Sequence, residues 1–331
     1  MLLHQPTAAD VLDAQQRLAG VAVRTPLLRS ATLDQRLGLR LFIKAESLQH
    51  TGAFKFRGAY NCLSRLLPGQ YPGGVVAYST GNHGQAIATV ARMLDLRATI
   101  VMPADAPRVK MQQAERQGAR VVTYDRKTQR REDIAADISQ QTGALIVPPG
   151  DHPDVIAGQG TAAFEALQDI PPEVTADALI VPCGGGGLAA GTCLAVEALY
   201  SKAAVWAAEP AEFDDTRRSL AAGRRLTNPT LTGSICDALL APTPAELPYS
   251  INQHRLTGAL TAPDDRVREA MRLLFRELRI VAEPGGAMAV AALLDNPDAL
   301  AGRTVVAVVS GGNVDAQVFI EALQTDVFQP A

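Results

Sequence analysis

The sequence predicts an α/β protein with two domains, each a mainly parallel sheet flanked by helices. Short β-branched runs alternate with segments whose apolar residues recur every three or four positions, which is the pattern of βαβ units. The runs form two groups, one at 75–78, 98–102, 120–124 and 144–147, the other at 178–181, 203–207 and 304–309. Two groups of strands indicate two sheets and therefore two domains.

The remaining elements follow from local signals. Thr7 precedes the apolar stretch 8–12 and is a typical helix N-cap. Helical spacing over 85–94 and over 109–117 separates strands of the first group. The grouping predicts a small mobile domain at 66–149, inserted into a large domain made of residues 1–65 and 150–331.

Composition limits the functional class. The chain has 331 residues, of which 47% are hydrophobic and 20% charged, and its formal net charge is -3. Mixed charges of this size give no reason to expect a nucleic acid or membrane partner, so a small metabolite is favoured. Four widely spaced cysteines, together with the lack of a signal peptide or of an apolar run of about 18 residues, predict a cytoplasmic location.

Three predicted strands end in polar or glycine-rich loops, and open α/β sheets bind ligands at such strand ends. The most distinctive loop lies between a strand and a helix and consists of Gly184, Gly185, Gly186 and Gly187. Its exposed backbone N–H groups and the positive end of the helix dipole predict a phosphate site. The alternative is a flexible turn.

The second loop has the sequence STGNHGQ at 79–85, and the third has SGGN at 310–313. Hydroxyl, amide and backbone N–H groups at a helix start can hold a carboxylate or a phenolate oxygen. His83 alone would more often be a structural histidine, and the loop does not favour it as a general base. Ser310 is suited to face a ring nitrogen of a flat ligand, although a helix cap is nearly as common a role.

Lys55 lies between two phenylalanines in the run TGAFKFRG at 51–58. Apolar neighbours disfavour the ammonium and lower the pKa of a lysine from about 10.4. A lysine of this kind can attack a carbonyl and form a Schiff base. Taken alone, the run is more often typical of a helix-start lysine whose head reaches solvent.

These four segments, in this order and over essentially the whole chain, resemble the fold type II (tryptophan synthase β-like) pyridoxal-phosphate enzymes. The narrower resemblance is to the threonine/serine dehydratase and serine racemase family, whose lysine, asparagine, phosphate and serine motifs are similar to TGAFKFRGA, STGNHGQ, CGGGGL and SGGNVD. The resemblance implies a homodimer that binds pyridoxal 5'-phosphate. It assigns the cofactor to Phe54, Lys55, Asn82, Gly184, Gly185, Gly186, Gly187, Leu188 and Ser310.

The resemblance also implies an ammonia-lyase acting on a threonine- or serine-type β-hydroxy amino acid. Lys55 would remove the α-proton, loss of the β-hydroxyl would follow, and hydrolysis would give a 2-oxo acid and ammonia. The substrate carboxylate would be held by Ser79, Thr80, Asn82 and His83. Thr80 stands where serine racemases have a serine that exchanges a proton on the face opposite the lysine, so we include it among the catalytic residues.

The segment 209–215 resembles the family's cation site. The carboxylates of Glu209 and Asp215 and the carbonyl of Phe213 would hold Mg²⁺, or Mn²⁺ or Ca²⁺, because hard cations prefer oxygen ligands. On its own the segment is also typical of a solvated acidic turn.

Two positions bear on the choice of substrate. Arg131 falls where serine racemases carry an arginine near the substrate acid group; if it points inward, a dicarboxylate such as threo-3-hydroxyaspartate is favoured, and otherwise it is an exposed helix-start charge. Gly150 stands where relatives place a larger residue over the site, which would admit phenylserine or a hydroxylated diamino acid. The other hypotheses are a serine racemase with side elimination, a β-replacement synthase and a non-catalytic cofactor-binding protein.

Overall fold

The computed structural model describes residues 4–79, 81–104, 106, 108–125, 128–230 and 232–324. Two sheets and their flanking helices confirm the predicted α/β class. Within these residues the strands are β1 (Leu27–Leu28), β2 (Arg40–Ala45), β3 (Val75–Tyr78), β4 (Ala98–Pro103), β5 (Arg120–Tyr124), β6 (Leu145–Ile146), β7 (Ala178–Pro182), β8 (Ala204–Pro210), β9 (Gly258–Ala262) and β10 (Thr304–Val309).

Helices cover both faces of the sheets. In chain order the described ones are α1 (Ala8–Leu18), α2 (Ala31–Leu37), α3 (Lys55–Leu63), α4 (Asn82–Met93), α5 (Arg108–Arg116), α6 (Arg131–Thr142), α7 (Pro153–Asp169), α8 (Gly187–Ala198), α9 (Asp215–Ala222), α10 (Glu246–Arg255), α11 (Asp264–Leu278), α12 (Pro284–Asp295) and α13 (Ala316–Gln324). Short 3-10 turns occupy Glu46–Leu48, His50–Gly52 and Asp237–Leu239. None of these helices is long and apolar enough to cross a membrane.

The larger sheet has the order β1-β2-β10-β7-β8-β9, and the smaller one β5-β4-β3-β6. All neighbouring strands run parallel except β1, which pairs antiparallel with β2 at the edge. Every residue of β7 is buried, as expected for a strand covered by helices on both faces. The carboxyl ends of these strands carry the loops singled out from the sequence.

The β-branched runs became strands close to their predicted bounds, whereas β1, β2 and β9 were not predicted. In β2 the apolar run Leu41, Phe42 and Ile43 is followed by Lys44, a charged residue that is nonetheless fully buried. The lysine breaks the apolar pattern by which a central strand is recognised. In β9, glycine and alanine give a weak strand signal.

Helix α3 packs with the smaller sheet although it precedes residue 66. Its residues Phe56, Ala59, Cys62 and Leu63 share one apolar cluster with residues of β3, α4 and β4. The amino-terminal end of α3 carries Lys55, so the lysine sits where the two sheets meet. The strands at 75–146 fall inside the predicted small domain, and its exact division from the large one stays a prediction.

A buried cluster of four charged side chains lies directly behind Lys55. The guanidinium of Arg57 donates to Glu46 at 2.8 Å and to Glu165 at 2.8 and 2.9 Å, and the Lys44 Nζ donates to Glu165 at 2.8 Å. All four residues are at most 4% exposed. The cluster has two positive and two negative members, and it ties α3 to β2 and α7 through Arg57.

Candidate active site

Lys55 is half-buried at the start of α3, and its Nζ donates a hydrogen bond to the carbonyl of Pro149 at 2.7 Å. Burial lowers the pKa of Lys55 from its ordinary value to about 8, while the nearby carboxylate of Glu283 acts in the opposite direction. A lysine with this pKa has an appreciable neutral fraction near pH 7, and only the neutral amine attacks a carbonyl. The predicted nucleophile is therefore poised for Schiff-base chemistry.

The two phenylalanines beside Lys55 have different surroundings. The ring centroid of Phe54 lies 4.9 Å from the Lys55 Nζ, and Phe54 packs with β7, α8 and β10. Phe56 instead turns into the core of the smaller domain, where its ring lies 4.7 Å from that of His50 and 6.0 Å from that of Tyr60. The interpretation that both rings enclose the amine was therefore wrong for Phe56, which points to the other side of the helix.

The glycine loop connects β7 to α8, as its sequence predicted. Gly186 has φ +91°, a left-handed conformation that favours glycine, and a Cβ there would lie 2.8 Å from the Asn252 amide nitrogen. Helix α8 begins at Gly187, so its first N–H groups point away from the helix with no intrahelical acceptor. A cradle of backbone donors at a helix start suits a phosphate.

Gly150 links the lysine to this cradle. It follows Pro149, the hydrogen-bond acceptor of Lys55, and a Cβ on Gly150 would lie 3.6 Å from the backbone of Gly187. Such a contact is ordinary van der Waals packing, so a larger residue at position 150 would cover this part of the cleft. The structure thus brings Lys55 and the glycine loop together and leaves room above them.

The asparagine loop lies at the start of α4. Asn82 is the first residue of the helix, and the Ser79 hydroxyl accepts a hydrogen bond from the N–H of Gly81 at 3.2 Å. The first N–H groups of α4, including that of His83, have no intrahelical acceptor and can receive a carboxylate. Thr80, which we predicted to bind substrate and to take part in catalysis, lies outside the described residues.

The His83 ring is buried and has a structural contact. Its Nε2 donates to the carbonyl of Val147 at 2.8 Å, so its Nδ1 carries no proton and has no partner among the described residues. Burial, and then the positive charge of Lys55, lower the pKa of His83 to about 3. The ring is neutral and offers no second donor, so any contact from His83 to a carboxylate comes from its backbone N–H.

Sequence reasoning missed a network around Asn82. Its amide nitrogen donates to the Glu283 carboxylate at 2.6 Å, and its amide oxygen accepts from the side chain of Asn313 at 2.8 Å. Asn313 also donates to the carbonyl of Thr51 at 2.7 Å, and a Cβ on Gly52 would lie 2.5 Å from the Asn313 side-chain oxygen. These contacts join the two domains across the cleft and fix the orientation of the Asn82 amide.

Ser310 follows β10 and is 5% exposed. Its carbonyl accepts a hydrogen bond from the N–H of Phe54 at 3.0 Å, and the adjacent Gly311 forms a bridge with Ala53. A side chain on Gly311 would collide with Glu283. The serine loop and the lysine loop therefore lie side by side, as a ligand contacted by both would require.

Arg131 begins α6 and reaches over the end of β3. Its guanidinium carbon lies 5.3 Å from the ring centroid of Tyr78, and its Nε donates to Glu132 at 3.0 Å. The positive charge of Arg131 contributes to lowering the pKa of His83, so the guanidinium lies close to the asparagine loop. The side chain is still 41% exposed. This position combines proximity to the cleft with contact to solvent.

Glu209 and Asp215 are both fully buried beside Phe213. The Glu209 carboxylate accepts from the N–H groups of Thr216 and Arg217 at 2.8 and 2.9 Å, and Asp215 accepts from Asn228 at 2.7 Å, which leaves its second oxygen without a partner among the described residues. Burial raises the pKa of Glu209 to about 8, with the negative charge of Asp215 adding to it, and burial raises the pKa of Asp215 to about 6. Two buried carboxylates with an unpartnered oxygen fit a bound cation.

Taken together, a lysine with a lowered pKa, a phosphate cradle and anion-binding helix starts define an enzyme that uses a phosphorylated carbonyl cofactor. Residues 19–311 match the model of the "Pyridoxal-phosphate dependent enzyme" family. The L-threo-3-hydroxyaspartate ammonia-lyase of Pseudomonas sp is 42% identical over 95% of this chain and 98% of its own. That of Saccharomyces cerevisiae is 39% identical over 94% of each chain.

Solved structures agree with the sequence comparisons. A threonine deaminase from the organism abbreviated T.th. has a TM-score of 0.87 at 40% identity, covering 94% of this chain and 99% of its own. Maize serine racemase has a TM-score of 0.90 at 33% identity, covering 97% of each chain.

The chain belongs to the pyridoxal-phosphate dependent enzyme family, as its motifs indicated. Pyridoxal phosphate is its cofactor, and the predicted class, a carbon–nitrogen lyase with a small amino acid as substrate, is confirmed. Lys55 and the backbone donors at the start of α8 fit the aldehyde and phosphate ends of this cofactor.

Proposed function

We propose that this protein eliminates water from a β-hydroxy amino acid with a second carboxylate, of the threo-3-hydroxyaspartate type, to give a 2-oxo acid and ammonia. The observation that carries this choice is Arg131, a cation beside Tyr78 at the mouth of the cleft. Two relatives with 42% and 39% identity bear this substrate in their names. Threonine and serine are the simpler substrates of the same chemistry.

In this proposal the side chains divide the substrate among them. The N–H groups at the start of α4 and the hydroxyls of Ser79 and Thr80 hold the α-carboxylate, and Arg131 holds the β-carboxylate. Lys55 takes the α-proton on its neutral Nζ, which the lowered pKa makes available. Pyridoxal phosphate, when bound, supplies the electron sink for this proton removal. We assign the cofactor contacts to Phe54, Asn82, Gly184, Gly185, Gly186, Gly187, Leu188 and Ser310.

Replacing Arg131 tests the substrate assignment. Hydrogen bonds between charged groups contribute about 1.5–3 kcal/mol, so Arg131→Ala should lower kcat/KM for threo-3-hydroxyaspartate about 10- to 100-fold. Activity on threonine should change little because threonine has no second carboxylate. The measurement is 2-oxo acid release from both substrates.

Arg130→Ala is the matched control, since its side chain is 76% exposed and lies one residue away. Equal losses in both variants, or an equal loss on threonine, would refute a role for Arg131 in recognition. Phenylserine and a hydroxylated diamino acid belong in the same panel, because the open space at Gly150 favours them if the dicarboxylate is not preferred.

A serine racemase with side elimination is the second candidate. Two serine racemase structures, from maize and Dictyostelium discoideum, have TM-scores of 0.90 and 0.87 with this chain. The Thr80 hydroxyl would then exchange a proton on the face opposite Lys55. Formation of D-serine from L-serine that is lost in Thr80→Ala would support this function; release of pyruvate alone would exclude it.

We further propose that Glu209, Asp215 and the carbonyl of Phe213 bind Mg²⁺, or Mn²⁺ or Ca²⁺. Without a cation the folded protein keeps protons on this pair that the unfolded chain has lost, so stability falls as the pH rises from about 4 to about 8. A cation that binds the deprotonated pair offsets this loss. The pKa of each carboxyl group is raised, so the cation should stabilise more strongly at high pH.

We therefore expect Mg²⁺ to raise the Tm of the holoenzyme more at about pH 8.5 than at about pH 6. At a concentration of 100 times Kd the stabilisation would be about 2.7 kcal/mol. Differential scanning calorimetry measures the shift. A double variant, Glu209→Gln with Asp215→Asn, should not respond to Mg²⁺, and an undiminished response would exclude this site.

A homodimer and a cytoplasmic location complete the proposal. Sedimentation equilibrium would test the dimer. The four cysteines, Cys62, Cys183, Cys193 and Cys236, are free and buried, in keeping with a reducing compartment.

A further inference from the structure

A second group of potential metal ligands lies away from the cofactor cleft, where the end of α3 meets the start of α7. The Cys62 Sγ is 3.8 Å from the His152 Nδ1, and an oxygen of Asp154 completes a set of three ligand atoms within 4.8 Å of one another. Cys62 is 1% exposed and His152 is 7% exposed, whereas Asp154 is half-buried. The reaction described above uses none of these side chains.

Thiolate, imidazole and carboxylate are the ligands that zinc takes in proteins, at about 2.3 Å from sulfur and about 2.0–2.1 Å from nitrogen and oxygen. Tetrahedral bonds of these lengths place sulfur and nitrogen about 3.5 Å apart. The observed 3.8 Å is close to this separation, so small side-chain rotations are enough to bring both atoms onto one ion. We propose that Cys62, His152 and Asp154 form a binding site for Zn²⁺ or a similarly soft divalent cation, with water as the fourth ligand.

Binding would require three local changes. Burial raises the pKa of the Cys62 thiol, so the thiol is neutral without metal and releases its proton to solvent as the metal–sulfur bond forms. The His152 Nδ1 now accepts from the N–H of Asp154 at 3.2 Å, and this hydrogen bond gives way to the metal. The Asp154 carboxylate pairs with Arg65 at 3.2 Å, and the metal replaces that ion pair. No oxidation or reduction takes place.

The half-buried Asp154 and the partly exposed Arg65 mark the entrance to this site. A hard cation such as Mg²⁺ prefers the oxygen ligands of Glu209 and Asp215, so the two sites differ in the cations they select. The proposed site also clamps the two segments that hold the nucleophile. Lys55 begins α3, and His152 follows closely after Pro149, whose carbonyl accepts the Lys55 hydrogen bond. Metal binding there would stiffen this contact.

Cd²⁺ is the probe, because its bond to a thiolate gives an ultraviolet charge-transfer band that oxygen ligands do not produce. We expect titration of the holoenzyme in excess Mg²⁺ to develop this band with one Cd²⁺ per chain. Cys62→Ala should abolish the band, and Asp154→Asn, which keeps the size of the side chain, should weaken binding by about 10-fold or more. Cys193→Ala is the matched control, since it removes another buried thiol in a different helix.

Thermal unfolding gives a second readout that does not depend on the band. Zn²⁺ should raise the Tm of the wild-type holoenzyme and of Cys193→Ala, and should leave that of Asp154→Asn nearly unchanged. A band of equal intensity in Cys62→Ala, a band lost in Cys193→Ala, or the absence of any band in the wild type would each overturn the proposal. Neither readout depends on which amino acid the enzyme uses.

Discussion

Lys55→Ala is expected to abolish ammonia release, with a loss of about 10⁴-fold or more in kcat. General-base catalysis alone contributes about 10²- to 10⁴-fold, and the variant also loses the covalent attachment of the cofactor. The lowered pKa of Lys55 and its hydrogen bond to Pro149 show that the amine is held ready rather than solvated. The cofactor phosphate site should survive, because the glycine loop makes its contacts through the backbone.

The measurement combines activity with mass spectrometry after borohydride reduction, which fixes a cofactor bound as a Schiff base. Wild type should gain one reduced cofactor on the peptide that contains Lys55, and Lys55→Ala should gain none while still binding the cofactor noncovalently. Lys202→Ala, at an exposed lysine, is the control and should behave as wild type. If wild type released neither ammonia nor racemised product from a broad panel of amino acids, a non-catalytic cofactor-binding protein would be the better description.

The residues that sequence reasoning found share one property: each belongs to a short segment whose local pattern carries the information. Gly184, Gly185, Gly186 and Gly187 lie together between a strand and a helix, and a helix start follows them whatever the rest of the chain does. Lys55 and Ser310 similarly stand in compact motifs. Strand ends then bring these motifs to one edge because parallel strands share a direction.

The residues that it missed depend on contacts between distant parts of the chain. Glu283 reads locally as the residue before a helix with proline at its first position. Its contact with Asn82 joins residues 201 positions apart, and no local pattern reports it. Lys44 is comparable, because its burial in a strand depends on Glu165, 121 residues away. The environment of Phe56 was misjudged for the same reason, since only the packing of α3 decides which side of the helix is apolar.

Arg57→Met is expected to lower the free energy of unfolding by about 3–5 kcal/mol, the usual cost of removing one partner from a buried ion pair. Arg57 donates to both Glu46 and Glu165, and the remaining cation, Lys44, pairs with Glu165. The variant would leave the Glu46 carboxylate buried with the Thr25 hydroxyl as its recorded side-chain partner. A methionine of similar size fills the space but cannot compensate this charge.

Urea unfolding of the holoenzyme, followed by far-ultraviolet circular dichroism, measures the effect as a fall in the transition midpoint. Arg24→Met is the control: its ion pair with Asp169 is 2.6 Å long, but its side chain is 49% exposed, so the change should be about 0–1 kcal/mol. Arg57→Lys should fall between the two, because an ammonium cannot donate to both carboxylates in the planar geometry of a guanidinium. If Arg57→Met matched Arg24→Met, the cluster would contribute little to stability. Because Arg57 lies two residues from Lys55, a large loss would mean that the same buried charges that hold α3 in place also hold the nucleophile at its start.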